Sequence, residues 1–132
     1  MEPERLAAIP FFAGLPEAEL AEIAAVASEL ELESGHVIAN EGDLGHAVFV
    51  IEEGTADVVT DGTTVARAGP GDVVGEVAVL RSGRRTASVT AATPMRVLAL
   101  FKRDVWALER RAPEAAGKLR ALLDERSGQR GG

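Results

Sequence analysis

The 132-residue chain has no cysteine and no tyrosine, with one tryptophan and four phenylalanines. Lack of cysteine excludes disulfide frameworks, thiolate metal sites and cysteine nucleophiles together, and is compatible with a reducing cytoplasm. With aromatics at 4%, few side chains are available to stack on an aromatic cofactor, and a hydrophobic share of 46% drawn mainly from Ala, Val and Leu predicts an aliphatic core. No apolar run reaches the roughly 18–20 residues of a membrane span, and the opening MEPERLAAIPFF lacks a basic leader followed by an apolar stretch. The expectation is a cytoplasmic protein with no membrane contact. Excess positive charge is missing as well: net charge is −7 and the sequence pI is near 4.8. Such a molecule repels a nucleic-acid backbone and gains little from counterion release, so no nucleic-acid partner is expected.

What is present fits one domain with a sizeable core, without an internal repeat or an interdomain linker. Residues 1–126 form the expected domain, and the tail SGQRGG at 127–132 reads as disordered. Residues 4–9 suit a short helical turn stopped by Pro10. Pro16 suits the first position of an amphipathic helix carrying Leu20, Ile23, Ala24 and Ala27 and ending near Ser28. From Glu29 to about Leu100, glycines recur between short runs rich in Val, Ile, Thr and Phe, the punctuation of a many-stranded antiparallel sandwich or barrel. Residues 48–51 read as a buried strand. Residues 56–60 and 63–66 flank Asp61-Gly62 as a hairpin, because Asp-Gly supplies the positive backbone angles of a two-residue turn. Residues 86–91 and 95–100 read as closing strands on either side of Thr93-Pro94. Asp104, Val105, Leu108 and Glu109 suit a helix interrupted by Pro113, which starts a second one with Ala116, Leu119, Leu122 and Leu123.

Against the acidic background, Arg81, Arg84 and Arg85 form a local basic island. It follows Gly75, which lets backbone approach another group closely. Residues 76–80 are too short for a stable free helix, but a single turn there would aim unpaired N–H groups outward as an anion cradle. Arg85 follows closely enough to reach the same anion. A fixed guanidinium suits phosphate oxygens and a carboxylate suits a ribose hydroxyl, so Glu76 and Arg85 together fit a cyclic sugar-phosphate. A plain salt bridge between Glu76 and a neighbouring arginine fits the same residues, and their chemistry alone leaves both readings open.

The order of residues narrows this. The run Val74-Gly75-Glu76-Val77-Ala78-Val79-Leu80, then Arg81-Ser82-Gly83-Arg84, then Arg85-Thr86-Ala87-Ser88-Val89 resembles, without a gap, the phosphate-binding cassette of the cyclic nucleotide-binding domain family. Upstream, Pro10-Phe11-Phe12 with Leu15 resembles the family's lead-in, and Gly35, Ile38, Gly42-Asp43, Phe49, Ile51 and Gly54 follow its glycine rhythm. The likeness covers roughly residues 9–125. It implies a mainly β fold, an eight-stranded antiparallel, jelly-roll-like β-roll with N-terminal helices and two C-terminal helices. It implies a free-standing sensor that binds cyclic AMP or cyclic GMP, is not an enzyme, and needs no cofactor or metal beyond that ligand.

By the same resemblance, Glu76 takes the ribose 2′-hydroxyl and Arg85 the exocyclic oxygens of the cyclic phosphate. The N–H groups of Val77, Ala78 and Ala87 and the Thr86 hydroxyl complete the cradle. Val58 and Val65 are placed to line the base pocket, with plain core packing as the bland reading of both. Departures from the pattern are Val74 for an aromatic, Val77 and Val79 for leucines, and Arg84 where proline is frequent. Arg84 could compete for the phosphate, but the spacing to Thr86-Ala87 favours Arg85. A hydroxyl at Thr86 can assist either the phosphate or the guanine 2-amino group; cyclic AMP is the favoured ligand.

His36 and His46 stand ten residues apart with no His-X-His pair and read as loop residues, not metal ligands. For output, the helix after Pro113 is the expected mobile element, with Leu119, Leu122, Leu123 or Arg126 closing over the base; Leu119 and Leu122 suit packing or a second subunit equally. An unnamed effector protein or a homodimer would carry the signal. A β-roll scaffold that binds no nucleotide, the regulatory fragment of a longer protein, and a metal-dependent β-roll enzyme are the alternatives.

Overall fold

A computed structural model describes residues 1–75 and 83–129, without the side chains of Leu123 and residues 126–129. The glycine-punctuated middle forms eight strands among the described residues: β1 (Ser28–Leu32), β2 (Val37–Ala39), β3 (Ala47–Glu53), β4 (Ala56–Thr60), β5 (Thr63–Ala68), β6 (Val73–Val74), β7 (Ser88–Ala91) and β8 (Met95–Phe101). They build two antiparallel four-stranded sheets, β1-β8-β3-β6 and β2-β7-β4-β5, the β-roll that the resemblance implies. Helices α1 (Pro3–Ala7) and α2 (Glu17–Val26), with a 3-10 turn at Pro10–Phe12 between them, come before the roll; α3 (Lys102–Arg111) and α4 (Pro113–Gln129) come after it.

The near-continuous apolar runs of β3 and β8 follow from burial on both faces of the first sheet. Val48, Val50, Leu98 and Leu100 point to the helical side and pack with Leu6, Phe12, Ile23, Val105 and Leu108. Ile51, Met95 and Val97 take the alternate positions and meet Ala39, Ala56, Ala68, Val89 and Ala91 of the second sheet. The second sheet buries one face, and β7 accordingly alternates half-buried Ser88 and Thr90 with buried Val89 and Ala91.

The hairpin forms where Asp61-Gly62 predicts it. Both residues have positive φ, 51° and 76°, and Thr60 faces Thr63 across the turn. Beyond it the register shifts: Val59 faces Thr64 and Val58 faces Ala66, so Val65 is skipped in the ladder.

Other boundaries move by a residue or two from the expectations. Pro16, at ψ 143°, stays outside α2 as its N-cap, and α2 ends at Val26 because Ser28 is already paired with Ala99. At the C-terminus α4 runs on through Ser127, Gly128 and Gln129, the first half of the expected disordered tail. A helix already nucleated loses only about 0.5–1 kcal/mol at each such residue, which does not stop it. Residues 130–132 lie outside the described residues. Arg5 fastens α1 to the roll by donating to both carboxylate oxygens of Glu52 on β3, at 2.8 and 2.7 Å, and by pairing with Glu29 on β1.

Candidate ligand-binding site

The site is assembled where β6 ends and the chain returns toward β7. Gly75 follows Val74 at φ 90°, a conformation that favours glycine. Residues 76–82 lie outside the described residues, so the expected positions of Glu76, Val77, Ala78 and Arg81 are not described. The returning segment is pinned to the loop before β3. Gly45 N–H donates to Gly83 O at 2.9 Å, Leu44 bridges Arg84, Arg85 N–H donates to Asp43 O at 2.7 Å, and Gly42 N–H donates to Arg85 O at 2.9 Å. These bonds hold Arg85 out of β7, which begins at Ser88 and not at Thr86.

Consecutive residues in this extended segment point to opposite sides. Arg84 is exposed and donates from Nη1 to Gly42 O at 2.9 Å on the outside. Arg85 turns inward and is only 9% exposed. Its Nη2 donates to Ala47 O at 3.0 Å and its Nη1 to Gly75 O at 3.3 Å, while Cζ lies 5.5 Å from the centre of the Phe49 ring. Neutral carbonyl acceptors and an aromatic face are among the groups that hold this buried guanidinium. A Cβ on Gly75 would overlap Arg85 Nη1 and come within 3.1 Å of Ala47 O. The glycine is needed for the close approach of Arg85, as well as for its φ.

Of the other expected site residues, Ala87 is buried and Thr86 half-buried, and Thr86 O accepts from the Thr60 hydroxyl at 3.4 Å. That contact joins the end of β4 to the Arg85 segment. Glu41 adds a second link, since its Oε1 accepts from Asp61 N–H at 3.1 Å and its own N–H donates to Ser88 Oγ at 2.9 Å. Val58 packs partly buried against the inter-sheet cluster. Val65 is 59% exposed, so plain core packing does not describe it.

An open cleft lies about 20 Å away, at the Glu53 end of β3. It is lined by Glu31, Glu33, Glu53 and Arg96, and Arg96 pairs with Glu31 and Glu53. Its acidic lining opposes an anion. Among the described residues no three His, Asp or Glu side chains converge as a metal site, and no helix is long and apolar enough to cross a membrane.

Sequence reasoning did not assign roles to Phe49, the Ala47 carbonyl or the Asp43 carbonyl. Phe49 carried the one usable signal, an aromatic ring set among valines in a chain with few aromatics.

A family model described as the cyclic nucleotide-binding domain matches residues 29–111. The chain is 35% identical over 123 residues to a cyclic nucleotide-gated potassium channel of Rhizobium etli, covering 93% of this chain and 34% of the channel. It is 38% identical over 97 residues to the cyclic AMP receptor protein of Thermus thermophilus, covering 70% of this chain and 45% of that protein. The chain thus spans less than half the length of these relatives. The crystal structure of the Thermus thermophilus catabolite activator protein superposes with a TM-score of 0.81 at 35% identity, covering 91% of this chain and 59% of that one. Two antiparallel sheets flanked by helices, an inward arginine under a glycine, and a domain match across more than half the sequence lead to one conclusion: the chain belongs to the cyclic nucleotide-binding domain family.

Proposed function

We propose that this domain binds a cyclic nucleotide, with cyclic AMP favoured over cyclic GMP, and acts as a sensor or regulatory module. The observation that carries the reading is the buried Arg85 guanidinium held by carbonyls at the mouth of the roll. An anion brought there gains charge-assisted hydrogen bonds of about 1.5–3 kcal/mol each. Arg85 takes the exocyclic phosphate oxygens, with the Thr86 hydroxyl and the N–H groups of Val77, Ala78 and Ala87 beside it. Gly75 gives the guanidinium its room, and Glu76 receives the ribose 2′-hydroxyl. Half-buried Val58 and exposed Val65 offer apolar surface to the base.

Output passes through the C-terminal helix to a partner protein or a second copy. Leu119 is buried with the helical core and Leu122 packs partly buried against it, which favours the packing role over closure on the base for these two. Leu123 and Arg126 have no described side chains and keep the capping role as a proposal. Since the relatives are longer, the same module would also serve as the regulatory segment of a larger chain.

Calorimetric titration with each nucleotide tests this reading. Binding of cyclic AMP in wild type, its loss in Arg85→Glu with circular dichroism intact, and a thermal midpoint that rises with ligand concentration are the expected results. Trp106, in α3 and 58% exposed, provides a fluorescence signal for the same titration. Unchanged affinity in Arg85→Glu would remove Arg85 from its role, and no response to either nucleotide would favour a non-binding scaffold.

A further inference from the structure

Two charged side chains are buried among the described residues, Arg85 and Glu19. Glu19 lies in the first turn of α2 and is 6% exposed, where an acid would ordinarily serve its own helix from the surface. Its carboxylate instead accepts from Ala115 N–H at 3.0 Å and Glu114 N–H at 3.3 Å, in the first turn of α4. The junction before α4 is one residue, Ala112, fully buried at φ −142° and ψ 65°, with no side chain able to cap. Glu19 supplies that cap from another helix, at the positive end of the helix dipole.

One turn along, Lys118 Nζ donates to Phe11 O at 2.9 Å and Ala13 O at 3.0 Å, and lies 6.0 Å from the Phe11 ring centre. Between these two fastenings Ala115, Ala116 and Leu119 are buried in the helical core. Swinging α4 about Pro113 would take two donors from a buried carboxylate and two acceptors from an ammonium. The buried Glu19 carboxylate left unsatisfied in this way costs far more than a lost surface contact, and the half-buried Lys118 adds a smaller loss.

We propose that Glu19 and Lys118 form a clamp that makes the root of α4 a fixed part of the layer built by α2 and the 3-10 turn, so that this root moves only together with them. The clamp is made of the chain's own residues. Its bearing on signalling rests on the nucleotide-binding reading, because a moving α4 would then carry α2 with it.

Hydrogen exchange across a urea series on the whole chain tests the clamp without ligand. In wild type the amides of Glu114 and Ala115 should open with the same urea dependence as those of Ile23 and Ala24. In Glu19→Ala the α4 pair should exchange about tenfold faster and open at lower urea than the α2 pair, while β3 and β8 keep wild-type rates. Glu19→Gln, which retains an acceptor, should restore most of the protection. Lys118→Met should loosen the amides of residues 116–119 if Glu19→Ala does not fold. Independent opening of the two helices in wild type, or wild-type protection at Glu114 and Ala115 in Glu19→Ala, would overturn the clamp. Calorimetry on the same samples keeps this result separate from the binding question.

Discussion

The two apolar clusters of the molecule are made of different side chains. Between the helices and the first sheet lie Leu6, Ile9, Phe12, Leu20, Ile23, Leu98, Leu100, Leu108 and Leu119, bulky residues that interlock across curved surfaces. Among the described residues, the buried side chains between the two sheets are Ala39, Ala56, Ala68 and Ala91 with Val74, Val89 and Val97 and the larger Ile51 and Met95, while Leu32, Ile38 and Phe49 pack partly buried against them. Bulk on the helical side fixes helices to sheet, where each buried leucine removes much apolar area from water. The smaller buried side chains described between the sheets contribute less per residue. Among the described residues, the helical side of the first sheet therefore carries most of the anchoring, and the other side borders the place where Arg85 lies against Phe49.

Substitutions on the two sides can break or sharpen this contrast. Leu98→Ala, at a fully buried position in the helical cluster, should cost about 2–5 kcal/mol in urea unfolding. The remaining folded protein should bind nucleotide with wild-type affinity; a cost below about 1 kcal/mol would contradict the anchoring role. Gly75→Ala comes next. Its φ of 90° and the overlap with Arg85 should cost roughly 1–2 kcal/mol of stability, with a larger proportional loss in cyclic AMP affinity by calorimetry. Equal affinity would show that Arg85 does not need its present position. Ile51→Val, in the inter-sheet cluster, should cost about 0.5–1.5 kcal/mol, and a cost as large as that of Leu98→Ala would erase the distinction between the clusters. The smallest effect is expected at Arg67→Ala. Its exposed cross-strand pair with Asp57 is worth about 0.2–1 kcal/mol and should weaken further in high salt.

Much of this architecture is legible in local chemistry. Asp61-Gly62 specifies its turn because few other pairs tolerate two positive φ values, and the double-sided burial of β3 and β8 shows as near-continuous apolar runs. Other elements leave weaker marks. β1 reads SELEL with most of it exposed, and β6 is two residues long, so neither carries a strong periodic signal; each exists because a neighbour in the sheet supplies hydrogen bonds. Glu19 resembles any acid in a first helical turn, and nothing in its own neighbourhood announces that α4 will end against it.

The sequence by itself determined the β-roll class, the hairpin, the helix that Pro113 starts and the cassette in which Gly75 and Arg85 stand ten residues apart, because each rests on short-range backbone preference or motif order. Tertiary structure decided which arginine faces inward, what holds it, and how α4 is rooted. The acceptor for Arg85 Nη2 comes from Ala47, 38 residues away, and the cap for α4 comes from Glu19, 96 residues away. A buried charge takes whatever partners the packed chain brings to it, and those partners are set by the closing of the whole fold.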